Sequence, residues 1–125
     1  MKLLDTSVAI DHLRGVQPAV DLLRRLVDDD EPLIASEIVR FELLAGVRVK
    51  EIDAVENFFL AVKWIPIDES VSRAAGQLAR QHRRAYVGID DADYVIAATT
   101  LLFNAELLTM NVRHFPMLSG LRPAY

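Results

Sequence analysis

Oxygen donors are what this chain offers for chemistry. It has no cysteine and three histidines, against 18 aspartates and glutamates. Asp5 follows the apolar run Lys2-Leu3-Leu4, and Asn111 follows Glu106-Leu107-Leu108-Thr109. Both are strand-end positions, where open parallel sheets bind their ligands. Asp93, with Asp90 three residues before it, opens a helix, and Glu37 and Glu42 lie on another. Three carboxylates and an amide gathered in one place would repel, and some would have to take up protons unless a cation joined them. Such an all-oxygen set suits Mg²⁺ or Mn²⁺. The chemistry it supports is phosphoryl-group hydrolysis, with a positioned, acidified water and the phosphate charge held. No P-loop, GxGxxG or serine or cysteine triad competes with that reading.

Each of these residues also has an ordinary structural use. Thr6 and Ser7 read as N-cap residues of a helix over Val8–Arg14 closed by Gly15, and their hydroxyls can also hydrogen-bond Asp5. Asp90 or Asp91 suits an N-cap, and acids in a first turn complement the helix dipole. Asn111 can simply form a turn, and His114 reads as a tail residue at that turn. On the helix capped by Ser36, Ile38, Phe41 and Ala45 mark the centre of the apolar face. Glu42 falls between Ile38 and Val39, and Glu37 between Phe41 and Leu44, so periodicity nominates both glutamates and cannot choose. Asp28-Asp29-Asp30-Glu31 reads as solvated loop. Arg80, His82, Arg83 and Arg84 stabilise a helix end or form a basic lip for phosphates.

The elements that must position these groups alternate. Short strands are expected at Lys2–Leu4, Leu33–Ala35, Trp64–Ile67 and Glu106–Thr109, with a last edge strand over Arg122–Tyr125. Between them come helices: one from Pro18 through Val27, one from Ser36 to Leu44 or Ala45 stopped by Gly46, and one over Glu51–Val62 with Ile52, Val55, Phe58, Phe59 and Val62 inward. A further helix capped by Asp68 or Ser70 runs to about Arg84, and the last covers Asp93 to about Phe103. Strand–helix alternation predicts an α/β domain with a mostly parallel central sheet covered on both faces. The 125 residues make one domain, and 52% apolar with 26% charged residues is a globular composition. The longest apolar run, Tyr94 to Phe103, is far too short to span a bilayer. With no cysteine and a strand that begins at once, without a signal peptide, a soluble cytoplasmic protein is expected. A net charge of −4 argues against a generic basic nucleic-acid surface. Carboxylates in one cleft would account for part of that count, and bound cations would reverse the local field.

Four pieces in order, Leu4-Asp5-Thr6-Ser7, Glu42-Leu43-Leu44-Ala45-Gly46, Asp93-Tyr94-Val95-Ile96-Ala97-Ala98 and Leu108-Thr109-Met110-Asn111-Val112-Arg113-His114-Phe115, carry a resemblance. The chain resembles the PIN-domain nucleases, specifically the VapC toxins of toxin–antitoxin pairs, over nearly its whole length. That resemblance implies a PIN-like fold of four to five short strands wrapped by about six to seven helices. It implies metal-binding, catalytic acids at Asp5, Glu42 and Asp93, with Glu42 acting directly or through water, and so selects Glu42 over Glu37. Thr6, Thr109 and Arg113 are implied as support. Where many members carry a fourth acid this chain has Asn111, one charge fewer, and Asp90 can substitute.

The function implied is a Mg²⁺- or Mn²⁺-dependent endoribonuclease acting as a toxin and leaving 5′-phosphate and 3′-hydroxyl ends. A cognate antitoxin laying an amphipathic segment in a groove between helices, an RNA substrate and a homodimer follow as partners, with no membrane. The helix faces Ala19–Val27 and Glu51–Val62 are candidates for the groove. The alternative is a catalytically weak PIN-like subunit that binds through an antitoxin complex. A haloacid-type phosphatase is disfavoured, since its second aspartate would fall at Ser7.

Overall fold

The computed structural model covers residues 1–125. Its elements run β1 (Lys2–Leu4), α1 (Thr6–Leu13), α2 (Gln17–Asp28), β2 (Leu33–Ser36), α3 (Glu37–Gly46), α4 (Ile52–Leu60), β3 (Lys63–Ile65), α5 (Glu69–His82), α6 (Asp91–Leu102) and β4 (Glu106–Leu108). Short 3₁₀ turns cover Val49–Glu51 and Val112–His114. The four strands form one parallel sheet in the order β3-β2-β1-β4. Leu3 stands opposite Ile34 on one side and Leu107 on the other. From β1 the chain steps outward through β2 to β3, then returns to lay β4 on the other side of β1. The strand order therefore reverses between β1 and β4, and the carboxyl ends of those two strands flank the crevice where open sheets take ligands.

Burial on both faces explains the strand composition. Leu3, Leu4, Ile34, Ala35, Leu107 and Leu108 are all core residues, joined by Val8, Val39, Leu43, Val55, Phe58, Phe59, Ile96 and Phe115. Local chemistry sets several helix starts. Pro18 sits in the first turn of α2, Ser36 Oγ accepts the Ile38 N–H at the start of α3, and an Asp68 carboxylate oxygen accepts the Val71 N–H at the start of α5.

Four expectations change. Residues 122–125 form no fifth strand; only the Ala124 N–H reaches the sheet end, at the Thr109 carbonyl, 2.9 Å away. The helix after β1 begins at Thr6, with Asp5 in the N-cap position, so Thr6 and Ser7 lie in the first turn and their hydroxyls are free for other partners. Ile52, expected inward on α4, is exposed. The apolar face of α3 is also turned from the expected one. Val39 and Leu43 are buried, whereas Phe41 is 63% exposed and Leu44 and Ala45 also face solvent. A helix apolar almost all round has a weak periodic signal, and its contacts with α1, α4 and β2 decide which stripe goes in.

These burials set opposite outcomes for two neighbouring side chains. Leu43→Ala should destabilise the fold by about 2–5 kcal/mol through cavity formation, whereas Phe41→Ala should stay within about 0.5 kcal/mol. Urea unfolding of the two variants beside the parent measures both, and equal losses would contradict this orientation of α3.

Candidate active site

Asp5 leaves β1 only 4% exposed. Its backbone N–H extends the ladder one step by donating to the Leu108 carbonyl at 3.0 Å. Its Oδ2 accepts two hydroxyl hydrogen bonds, from Thr109 Oγ1 at 2.6 Å and from Ser7 Oγ at 2.8 Å. Each hydroxyl is itself held by the chain leaving β4. Thr109 Oγ1 accepts the Asn111 N–H at 2.9 Å, and Ser7 Oγ accepts the Met110 N–H at 3.1 Å. Asp5 Oδ1 takes part in no hydrogen bond and is not among the sealed polar atoms, so it is the edge of the carboxylate left for a ligand. Thr6, beside Asp5, instead donates its hydroxyl to Glu42 Oε1 at 2.7 Å. Hydrogen bonds therefore tie α1 both to α3 and to the end of β4.

The two glutamates of α3 separate cleanly. Glu37 pairs with Arg40 at 2.6 and 3.0 Å, and that guanidinium lies 4.3 Å above the Trp64 ring and 5.0 Å above Phe59. Glu37 is committed to that cluster, and Glu42 to the Thr6 hydroxyl.

Asp93 lies in the first turn of α6, 9% exposed. Its Oδ2 accepts the Asp90 N–H at 3.1 Å, the reach-back half of a capping box, and stands 3.4 Å from His114 Nδ1. Burial pushes the Asp93 carboxyl above the usual aspartate range. The Asp90 N–H and His114 pull it back in part, and the Asp5 and Asp90 carboxylates push it further up. Ala97 and Thr100 follow on its stripe, both buried.

The structure thus bonds Thr109 to Asp5 and Glu42 to Thr6, the residue after Asp5, while Asp93 feels the charges of Asp5 and Asp90. Asn111 contributes its backbone N–H; its amide is exposed and bonds to nothing, and Arg113 is exposed without an ion pair. Two participants fall outside the expected supporting set. Ser7, expected as a hydroxyl able to hydrogen-bond Asp5 but not as a supporting site residue, does bond it from two residues on in the first helical turn. His114, expected as a tail residue, reaches Asp93 only because the 3₁₀ turn Val112–His114 folds across it, and no spacing in the sequence shows that.

The donor set is all oxygen apart from His114, and the Asp93 carboxyl, raised first by burial and then by neighbouring carboxylates, is one that a cation would return to its charged form. Both suit a hard divalent cation. No three His, Asp or Glu side chains stand close enough to enclose an ion by themselves. A cation held by Asp5 and Asp93 would therefore complete its shell with water, as Mg²⁺ characteristically does.

The PIN domain family model matches residues 2–118. The chain is 54% identical over 125 residues to a protein named Ribonuclease VapC19 from Mycobacterium tuberculosis, covering 100% of both chains. Among solved structures, VapBC2 from Rickettsia felis bound to a DNA fragment from their promoter matches with a TM-score of 0.82 at 20% identity, covering 96% of this chain and 94% of that one. A toxin–antitoxin complex from Klebsiella pneumoniae matches with a TM-score of 0.76 at 22% identity, covering 100% of this chain and 98% of that one. At those identities the structures show a shared fold.

The raised Asp93 carboxyl has a stability consequence. The folded state holds the Asp93 proton more tightly than the unfolded chain, so Asp93 withdraws stability as pH rises from the ordinary aspartate range through the raised value, and the loss is complete above it. In metal-free buffer at pH 7, Asp93→Asn should melt higher than the parent by a few degrees, at about 4 °C per kcal/mol for a domain of this size. The gap should close below about pH 4, where the parent becomes protonated in both states. Thermal unfolding followed by circular dichroism across pH tests this, and a variant that melts no higher at pH 7 contradicts it.

Proposed function

The chain belongs to the PIN-domain family, in its VapC branch, and from that premise we propose that it is a divalent-metal-dependent endoribonuclease that acts as the toxin of a toxin–antitoxin pair. The observation that carries the reading is the Asp5 carboxylate, buried at the β1–β4 switch point, with its Oδ2 tied by Thr109 and Ser7 and its Oδ1 free of hydrogen bonds. The relative named as a ribonuclease supplies the substrate class.

Asp5 and Asp93 are the residues to hold Mg²⁺ or Mn²⁺, with Glu42 acting directly or through water. When bound, such an ion supplies an acidified water and neutralises charge on the phosphate. The chain's own groups do the rest. Thr109 and Ser7 prevent Asp5 from rotating, so its open oxygen keeps one direction. Thr6 holds one oxygen of Glu42 and leaves the other without a hydrogen bond. The Asp90 N–H and His114 hold the Asp93 carboxylate against swinging away. With Asn111 in place of a fourth acid, the pocket carries one charge fewer, which favours one ion over two.

A small antitoxin is the partner we propose. The matched toxin–antitoxin complex supports it, and so does a groove of about 390 Å³ that Glu42 helps line, with apolar walls from Ile10, Leu13, Leu43, Val47 and Val55. No helix of the chain is long and apolar enough to cross a membrane. The site of action we propose is the cytoplasm, where RNA substrates lie.

The test is cleavage of total cellular RNA by the purified chain with Mg²⁺ or Mn²⁺, read by sequencing new 5′-phosphate ends. Asp5→Asn and Asp93→Asn should each lower the rate at least about 10²-fold, the scale on which removing one preorganised charge acts. Chelation should abolish cleavage. Full cleavage by either variant would move the activity away from this cluster.

A further inference from the structure

The end of α5 and the loop joining it to α6 carry groups that the acid cluster does not use. Arg80 and Arg84 are exposed, and neither has an ion-pair partner. Arg80 is not occupied by the carbonyls that end its helix. Its guanidinium lies one turn back over Gly76, with Nη1 4.0 Å from where a Cβ at that position would stand. Arg83, on the same stripe as Arg80, pairs with Asp91 at 2.7 Å and lies 5.8 Å over the Tyr94 ring. That contact pins the stripe to the first turn of α6, the turn that holds Asp90 and Asp93. Tyr86 follows in a tight turn on the His82 carbonyl and is 46% exposed. Its ring stands 6.0 Å from that of His82, tilted by 33°. Val87, 94% exposed, and Gly88 at φ 90° carry the chain around the tip. His114 stands 3.4 Å from Asp93, and its sequence neighbour Arg113 is exposed and unpaired.

A chain with net charge −4 thus keeps unpaired arginines and a half-exposed aromatic ring on the helix end and loop that Arg83 ties to the first turn of α6. Phosphates are bound by unpaired arginines, and an unstacked base is bound by an exposed ring whose position is already set. We propose that Arg80, Arg84 and Tyr86 form a lip that binds single-stranded RNA beside the scissile bond. The two arginines take backbone phosphates and Tyr86 stacks a base. The inference rests on the endoribonuclease reading and adds where the strand lies: it crosses the first turn of α6, between this lip and Arg113.

Binding is measured in the Asp5→Asn background, which holds RNA uncut, by fluorescence anisotropy with an end-labelled single strand of mixed sequence about 16 nucleotides long. Dissociation constants are taken over a series of salt concentrations. Each phosphate that an arginine no longer neutralises lowers the slope of log K against log[salt] by about 0.7 for a single strand. Arg80→Ala with Arg84→Ala should therefore lower it by about 1.4 and weaken binding about 10-fold or more at low salt, and the lysine replacements should restore most of the slope. Tyr86→Ala should weaken binding about 10-fold with the slope unchanged, because stacking releases no counterions. Arg24→Ala, on α2, should change neither. All these side chains are exposed, and equal melting midpoints establish that the variants are folded. Unchanged slopes and affinities, with the parent chain still cutting RNA, overturn the lip and leave the nuclease standing. A parent chain that neither cuts nor binds RNA overturns both.

Discussion

The hydrogen bond from Thr109 Oγ1 to Asp5 Oδ2 is the contact on which the rest of this architecture depends. An aspartate 4% exposed between two strands of an apolar sheet would be strongly disfavoured without donors. Thr109 and Ser7 supply them, and both hydroxyls work twice: each donates to the carboxylate and accepts a backbone N–H from the segment leaving β4. The Thr109 carbonyl is used too, by the Ala124 N–H. The charge and the strand pairing are therefore one structure. Removing the carboxylate would leave two hydroxyls and the exit of β4 without their organising partner. Moving β4 by one residue would replace Thr109 with an apolar neighbour and leave the charge with Ser7 as its only hydroxyl donor.

Asp93 is held differently. It has one backbone N–H and a histidine at a longer distance, in a setting nearly as buried as that of Asp5. Its carboxyl is pushed up by burial first and by neighbouring carboxylates second. The two acids so divide their tasks. Asp5 is held by two hydroxyl donors, whereas Asp93 has fewer donors for a similar burial, which makes its charged form costly to the fold.

How much of this was legible depended on whether a residue's role was local. Asp5 could be read because it ends the first apolar run, and the strand–helix alternation carried the parallel sheet. Ser36 and Asp68 could be read because capping acts within three residues. The inward stripe of α3 was legible only wrongly: Phe41 and Ala45 match a helical apolar face as well as Val39 and Leu43 do, and packing against α1 and α4 chose between them. Glu37 and Glu42 were indistinguishable by period. The family resemblance selected Glu42, and the structure pairs Glu37 with Arg40 and Glu42 with the Thr6 hydroxyl. The strand expected over Arg122–Tyr125 fails because one backbone bond to Thr109 and the Tyr125 hydroxyl on Asp11 tie that tail down without a ladder. His114 meets Asp93 across the fold, which no local pattern encodes.

An acidic protein that acts on a polyanion has to solve an electrostatic problem by placement. Its net charge gives no long-range attraction, and at physiological salt fields fade within about 8 Å. What counts is the set of charges within that distance of the bound strand. Around the first turn of α6 that set is mixed by construction: Asp90 and Asp93 on one side of the helix start, Arg83 locked on Asp91, and Arg80, Arg84 and Arg113 unpaired beyond them. Each carboxylate there repels phosphate and each unpaired arginine attracts it, so the local balance decides whether a strand can approach, not the net charge of the chain. A divalent cation on the carboxylates would shift that balance toward the arginines with no conformational change required.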